Sequence, residues 1–146
     1  MGIPKVLSFG YNKDYDILVM PLLGKSLLEI FTSKNLNYEF KDICLIAIQI
    51  IDRIQWVHSR KIIHRDIKPD NLLIGLNDPH LIYLIDFGLS EKFQSTKTGK
   101  HIKISQLKTF TGSVNFASSN ALRLLLQSRR DDLESIGYML IYLMKG

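Results

Sequence analysis

His64-Arg65-Asp66-Ile67-Lys68-Pro69-Asp70-Asn71, followed downstream by Asp86-Phe87-Gly88, decides how this chain is read. The stretch sets a carboxylate, an ammonium, an amide and a second carboxylate in a fixed order. Phosphoryl transfer from a magnesium–nucleotide complex requires that order. A charged cluster alone is usually a solvated loop. An ordered set of such residues with a second tripeptide at the matching distance is hard to obtain by chance.

The chemistry accounts for the spacing. Asp66 would accept, or orient, the proton of the attacking hydroxyl, an effect worth about 100- to 10,000-fold in rate. Lys68 can reach the transferring phosphoryl group and offset its charge. Asn71 supplies an amide oxygen and Asp86 a carboxylate, and both suit Mg²⁺, which prefers oxygen ligands. Phe87 can anchor the Asp86 turn in the core, and Gly88 lets the backbone bend. His64 reads as a packed histidine that supports the loop and does no chemistry. Arg65 is either structural or awaits an anion on the later loop.

On these residues the segment resembles the catalytic and metal-binding loops of eukaryotic-type protein kinases. Lys68 in its place resembles the serine/threonine enzymes. The stretch Gln127-Ser128-Arg129-Arg130-Asp131-Asp132-Leu133-Glu134-Ser135-Ile136-Gly137-Tyr138 is similar to a signature of the casein kinase I family. So is Val19-Met20-Pro21-Leu22-Leu23-Gly24-Lys25-Ser26-Leu27, which matches that family's hinge apart from Pro21 and Lys25. The resemblance runs from about Gly2 to Gly146.

The resemblance implies an α+β, protein-kinase-like fold that is truncated. Residues 1–20 would be the last two strands of the small lobe, 21–24 the hinge, and 25–146 the first half of the mainly helical large lobe. That last part holds the catalytic loop, the activation segment and the helix containing Asp132. No Gly-rich phosphate loop, strand lysine or partner glutamate is found before the motifs, so the chain reads as the middle of a kinase domain. The implied cofactors are ATP and Mg²⁺. By resemblance Met20 guards the back of the nucleotide pocket, and Pro21 to Leu23 form the hinge beside the adenine. Leu73 is the apolar floor under the base, and Ile85 precedes the metal-binding Asp86. Pro21 keeps the carbonyl that adenine contact needs and loses only its N–H. Taken singly, each of these is also an ordinary core residue.

The resemblance gives Asp132 a positioning role, receiving backbone N–H groups of the catalytic loop and so holding Asp66 in place. A helix-start acid complementing the dipole reads compatibly. Arg129-Arg130 beside Asp131-Asp132 also reads as a surface ion-pair cluster of small value. Around Gly112 to Asn120 the chain follows the casein kinase I activation segment, with Asn115 where that family usually has an arginine that binds phosphate. Asn115 cannot supply the charge, which puts a preference for phosphorylated substrates in doubt. Leu122 to Leu126 is also more apolar than the family pattern.

Length and composition set the outer bounds. The 146 residues suit one domain, and 46% hydrophobic residues suit a sizeable core. Cys44 is the single cysteine, so no internal disulfide forms, which fits a reducing compartment. Its apolar surroundings predict an inert, buried thiol. The apolar runs fall short of the ~20 residues a membrane span needs, and no signal-peptide layout opens the chain. Met1-Gly2 suggests myristoylation, but Val6 stands where that motif wants Ser or Thr. A cytoplasmic location, extending to the nucleus, is expected, with no membrane partner.

The net charge is +5. Lys92, Lys97, Lys100, Lys103 and Lys108 fall in one stretch without an acid between them. It reads as a solvated loop or as a surface favouring acidic or phosphorylated substrates. Nucleic acid is not expected as a partner, since no binding module or aromatic interleaving accompanies the lysines.

Patterning predicts strands over Val6–Tyr11 and Tyr15–Met20, joined by an Asn12-Lys13-Asp14 turn and ended by Pro21. A short helix over Ser26–Ser33 precedes a long one over Glu39–Arg60 with Asn37 as its cap. The first half of the long helix is apolar nearly all round, so burial on several sides is expected. Ile62-Ile63, Leu72–Ile74 and Leu81–Ile85 read as short strands. Leu89–Phe116 reads as a long functional loop. A last helix is expected over Asp132–Lys145, with Gly146 beyond it.

Two functions follow. One is a casein kinase I-type serine/threonine kinase acting on protein substrates, acidic ones among them. The other is a non-catalytic kinase remnant that binds a partner over apolar faces left bare by truncation. A related small-molecule phosphotransferase is disfavoured by the Lys68 spacing and the Gln127–Tyr138 signature.

Overall fold

The computed structural model describes residues 2–33 and 39–145. The first alternating segments form an antiparallel hairpin of β1 (Ser8–Tyr11) and β2 (Asp16–Val19), with Phe9 opposite Leu18. Asn12 fixes the turn: its Oδ1 accepts from the N–H of Asp14 at 2.9 Å and of Tyr15 at 2.7 Å, the local turn that asparagine favours. The strands are shorter than the apolar pattern suggests, although Leu7 N–H still reaches the Val19 carbonyl at 2.8 Å. Both faces of the hairpin meet solvent, Phe9 (66%) and Leu18 (50%) on one and Ile17 (45%) and Val19 (44%) on the other.

Ser26 caps α1 (Leu27–Ser33). Its Oγ accepts from Glu29 N–H at 3.1 Å while Glu29 Oε2 accepts from Ser26 N–H at 2.7 Å, a reciprocal pair that satisfies two helix-start donors. The long helix α2 (Phe40–Ser59) forms as its periodicity predicts. The expected cap, Asn37, lies outside the described residues. Glu39 precedes the helix, its N–H donating to Asp42 Oδ2 at 3.2 Å.

Burial of α2 is one-sided, against expectation. Ile43, Ile46, Ile50, Ile54 and Val57 are buried, whereas Leu45, Ile48 and Ile51 are exposed. The cause lies in its partners, since the helix of residues 129–145 and the strand of residues 82–84 cover only one side. Cys44, next to the buried stripe, is consequently half-buried, not buried.

The last helix, α4 (Arg129–Lys145), starts earlier than its expected Asp132. Ser128 and Asp131 close its first turn: Ser128 N–H donates to Asp131 Oδ2 at 2.7 Å, and Asp131 N–H to the Ser128 carbonyl at 3.0 Å. The expected end beyond Lys145, Gly146, lies outside the described residues. Ile136, Met139 and Leu143 of α4 share one cluster with the buried face of α2 and with Leu72 and Leu84. Each such side chain contributes about 1.5–3 kcal/mol on burial.

Two short antiparallel pairs carry the loops between the helices. β3 (Ile62–Ile63) pairs with β6 (Glu91–Lys92), and β4 (Leu72–Ile74) with β5 (Ile82–Leu84) in the register Leu72–Leu84. Residues 89–116 are otherwise mostly irregular, as composition predicts, apart from bridges at Gln94–His101 and Gln106–Leu125 and a 3-10 turn at Val114–Phe116. A short helix, α3 (Ser119–Leu122), was not expected. Ser118 caps it, its Oγ accepting from Ala121 N–H at 3.2 Å. Gly2 is buried: its carbonyl accepts from Leu84 N–H at 2.8 Å, and a Cβ there would overlap Arg53 Nε and the Ile82 carbonyl.

Candidate active site

The loop from β3 to β4 is held from below by the first turn of α4. Asp132 is 1% exposed and collects three donors. Its Oδ2 lies 2.7 Å from His58 Nε2 and accepts from His64 N–H at 3.0 Å, while Oδ1 accepts from Arg65 N–H at 2.9 Å. Arg65 is thereby kept at φ 68°, a left-handed conformation that costs a non-glycine residue on the order of 1 kcal/mol. The Arg65 guanidinium turns to the later loop, with Nε donating to the Leu89 carbonyl and Nη1 pairing with Glu91, both at 2.6 Å. Glu91 is therefore the anion that Arg65 finds.

Asp66 sits immediately beyond, 6% exposed. Its Oδ2 meets Lys68 Nζ at 2.8 Å and Asn71 Nδ2 at 3.1 Å, and its Oδ1 accepts from Ser113 Oγ at 2.7 Å. Lys68 Nζ also donates to Ser113 Oγ at 2.9 Å. Burial works against ionisation of Asp66. The hydrogen bonds from Lys68, Ser113 and Asn71, with the Lys68 charge, outweigh it and hold the carboxyl below its ordinary pKa. The group is thus a carboxylate at neutral pH, oriented by three donors.

His64 is fully buried, as its reading as a packed residue requires. Nε2 lies 3.0 Å from the Ile85 carbonyl and Nδ1 accepts from Asp66 N–H at 3.3 Å. Its ring meets Phe87 edge-on at 5.0 Å. Burial is the largest influence on His64 and pushes its pKa down against the Ile85 bond and the nearby aspartates. The ring is neutral, with its proton on Nε2.

The β4–β5 register brings the other two candidates together. Leu72 opposite Leu84 sets Asn71 opposite Ile85, and Ile85 N–H donates to the Asn71 carbonyl at 3.0 Å. Asp86 follows at φ 62°, so the left-handed residue of this turn is Asp86. Gly88 contributes its N–H, which reaches Asp86 Oδ1 at 3.1 Å. Asn71 spends its Nδ2 on Asp66, and Asn71 Oδ1 and Asp86 Oδ2 have no hydrogen-bond partner among the described residues. Two hard oxygen donors without partners fit a cation such as Mg²⁺. No group of three or more His, Cys, Asp or Glu gathers among the described residues, so further ligands must come from a bound phosphate or water.

The expected base-binding residues fall on both sides of one junction. Gly24 N–H donates to the Ile74 carbonyl at 2.8 Å, Ile74 N–H donates to the Lys25 carbonyl at 3.0 Å, and Ser26 bridges Leu73. This pairs Gly24–Ser26 antiparallel with Leu73–Ile74; Leu73 lies within the paired stretch and Leu23 just before it, both half-buried. Ile85 is half-buried on the neighbouring strand end. Met20 and Pro21 are exposed, upstream of the junction.

Two residues escaped the sequence. Ser113 touches both Asp66 and Lys68, across 47 and 45 positions. Its signal was the preceding Gly112, which has φ 113° and where a Cβ would lie 2.6 Å from the Arg65 carbonyl; only glycine permits that approach of the two loops. Asp131 is 1% exposed and not a surface ion-pair partner. It accepts from Ser118 Oγ at 2.8 Å, Asn120 Nδ2 at 2.9 Å and Ser128 N–H at 2.7 Å. Arg130 Nε stands off at 3.8 Å, and Arg129 stacks on Phe93 at 4.6 Å. The family model described as the protein kinase domain matches residues 2–146.

Proposed function

The chain belongs to the protein kinase family, and on that premise we propose that it is a serine/threonine kinase of casein kinase I type, moving the γ-phosphoryl group of ATP to protein hydroxyls. The family implies use of ATP and a divalent metal in general terms. The observation that supports phosphotransfer is the Asp66 carboxylate, ionised and aimed by Lys68, Asn71 and Ser113 at 2.7–3.1 Å; the serine/threonine and casein kinase I reading rests on the resemblance at Lys68, Val19–Leu27 and Gln127–Tyr138.

In this reading Asp66 takes or orients the proton of the attacking hydroxyl. Lys68 offsets charge on the phosphoryl group in transit. Asn71 Oδ1 and Asp86 hold Mg²⁺, which when bound neutralises the phosphate oxygens. Leu23, Leu73 and Ile85 receive the base, with Met20 and Pro21 bordering it. Ser113 and Asp132 act through Asp66 and its backbone. Substrates are proteins, acidic ones among them, in the cytoplasm or nucleus. No helix among the described residues is long and apolar enough to cross a membrane.

The test is transfer of radiolabelled phosphate from Mg-ATP to an acidic protein, with Asp66→Asn as control. Loss of at least about 100-fold is expected from removal of a base. Equal label in wild type and variant rejects Asp66 in this role.

A second reading, a non-catalytic remnant that binds a partner protein, is favoured by one observation. The β1–β2 hairpin exposes Phe9, Tyr11, Leu18 and Val19 together, and an isolated two-stranded hairpin is marginal in water. A monodisperse monomer at high concentration that transfers phosphate would reject it.

A further inference from the structure

Between Asp86 and Asp131 the chain holds one acid, Glu91, against five lysines and three arginines. Lys92 is its neighbour in sequence, yet Glu91 pairs with Arg65 of the catalytic loop, Oε2 to Nη1 at 2.6 Å. The same guanidinium donates from Nε to the Leu89 carbonyl at 2.6 Å. The Arg65 side chain is 14% exposed and that of Glu91 49%, and a partly buried pair is screened less than one in open solvent.

The backbone pairing that carries this contact is slight. β3 and β6 are two residues each, with Ile63 opposite Glu91, and the ladder is continued only by Phe93 N–H to the Lys61 carbonyl at 3.2 Å. So short a two-stranded pairing is weak by itself. On the other side of Leu89, Ser90 closes the turn after Asp86, its N–H and Oγ both donating to the Phe87 carbonyl, at 3.0 and 2.6 Å. Holding Leu89 and Glu91 on Arg65 therefore fixes how the chain leaves Asp86, and it does so against the residue that precedes Asp66. One side-chain clamp serves the base candidate and the metal-binding candidate together.

A loop of this kind is commonly ordered by phosphorylation of one of its hydroxyls, which then pairs with an arginine. Ser95, Thr96, Thr98, Ser105 and Thr109 offer such hydroxyls, but two nitrogens of the Arg65 guanidinium are already taken. We propose that Glu91 is a positioning residue for phosphotransfer: a built-in counter-ion that seats the 89–92 segment on Arg65 and makes modification of the loop unnecessary at this junction. The proposal rests on the phosphotransfer reading. A carboxylate carries one charge where a phosphate carries up to about two. Glu91 offsets this by its place on the strand paired with β3, from which it reaches Arg65 without the ordering of a longer loop.

The test compares the 146-residue chain with Glu91→Gln, which keeps the shape and drops the charge, and with Glu91→Ala, which opens the place. Transfer from Mg-ATP to a protein substrate should slow about three- to tenfold at saturation in both, the rate equivalent of a half-exposed charge pair. The KM for ATP should stay within about twofold. Sodium acetate should restore most of the rate to Glu91→Ala and leave the wild type unchanged, and sodium chloride at the same ionic strength should do neither. In Glu91→Gln the amides of Ser90 and Phe93 should exchange hydrogen faster, while His64, held by Asp132, stays protected. Wild-type activity in Glu91→Gln overturns the proposal. So does a loss in Glu91→Ala that acetate does not relieve, since the anion is then not what matters. If the wild type transfers no phosphate, the phosphotransfer reading fails by itself, and exchange still decides the clamp: faster Ser90 and Phe93 amides in Glu91→Gln uphold it, and unchanged ones overturn it. Should Glu91→Ala not fold, Glu91→Asp takes its place beside Glu91→Gln, and a failure of aspartate to recover any of that protection is equally fatal.

Discussion

Replacing Asp132 by asparagine tests the claim that α4 holds the catalytic loop. Asp132 is 1% exposed, and its two oxygens serve three donors at 2.7, 3.0 and 2.9 Å. An amide has one accepting oxygen. Oriented to keep His58 Nε2 and His64 N–H, it turns its NH₂ towards Arg65 N–H and orphans that donor. Oriented the other way, it orphans two. An orphaned buried donor costs about 1–3 kcal/mol, and the remaining bonds lose their charge assistance. Asp132→Asn should therefore cost about 3–5 kcal/mol, the range for removing one member of a buried pair. That is a large share of the about 5–15 kcal/mol that stabilises a domain. At roughly 2–4 °C per kcal/mol for this size, the thermal midpoint should fall by about 6–20 °C. Urea unfolding at pH 7.4 followed by circular dichroism gives the loss, and hydrogen exchange locates it. The amides of His64 and Arg65 should exchange faster even where the variant is still folded. A loss below about 1 kcal/mol, with those amides unchanged, would refute the reasoning.

Two further outcomes follow from the same site. Burial sets the folded pKa of His64 below its ordinary value, against the Ile85 carbonyl and Asp132, Asp66 and Asp86. Between the folded and ordinary values only the unfolded chain binds the proton, so stability should fall as pH drops below about 6.5 and level off beneath the folded pKa. Urea midpoints at pH 7.5 and 5.5 should differ in wild type and converge in His64→Gln, and an equal difference in the variant would exclude His64 as the source. Ser113→Ala removes a 2.7 Å donor from Asp66, so an NMR titration should show the Asp66 carboxyl moving up towards its ordinary pKa, with Ser113→Thr restoring it. Phosphate transfer should fall with alanine and recover with threonine; a titration indifferent to Ser113 would remove it from the site.

The catalytic loop was legible because its chemistry is local. Asp66, Lys68 and Asn71 share one short segment, and the bond between Asn71 Nδ2 and Asp66 spans only 5 positions. Asp86 was legible by its motif, and it reaches the others through the Leu72–Leu84 register. The hairpin, α1 and α2 were legible because turn residues and apolar period agree with the backbone. The exposed flank of α2 was not, because periodicity tells which residues are apolar and not how many neighbours stand ready to cover them. Leu45, Ile48 and Ile51 belong to the same apolar surface as Ile46 and Ile50, and only the placement of α4 and β5 separates them.

The pair Asp131-Asp132 shows where a local reading stops. Adjacent acids after two arginines look like surface charge, and only the family resemblance singled out Asp132, leaving Asp131 without a role. Helical geometry does separate them, because consecutive residues point about 100° apart. Asp132 faces the β3–β4 loop and fixes Arg65 before the base candidate Asp66. Asp131 faces the other way and fixes Ser118 and Asn120 after Ser113. One helix start therefore grips the catalytic loop and the end of the 89–116 segment independently. Asp66 lies where the two meet, bonded to a residue of each. Exchange measurements on Asp131→Asn should then loosen residues 118–122 while leaving His64 and Arg65 protected, the reverse of Asp132→Asn. If the two variants loosen the same amides, the helix start acts as one undivided support and the separation of roles is wrong.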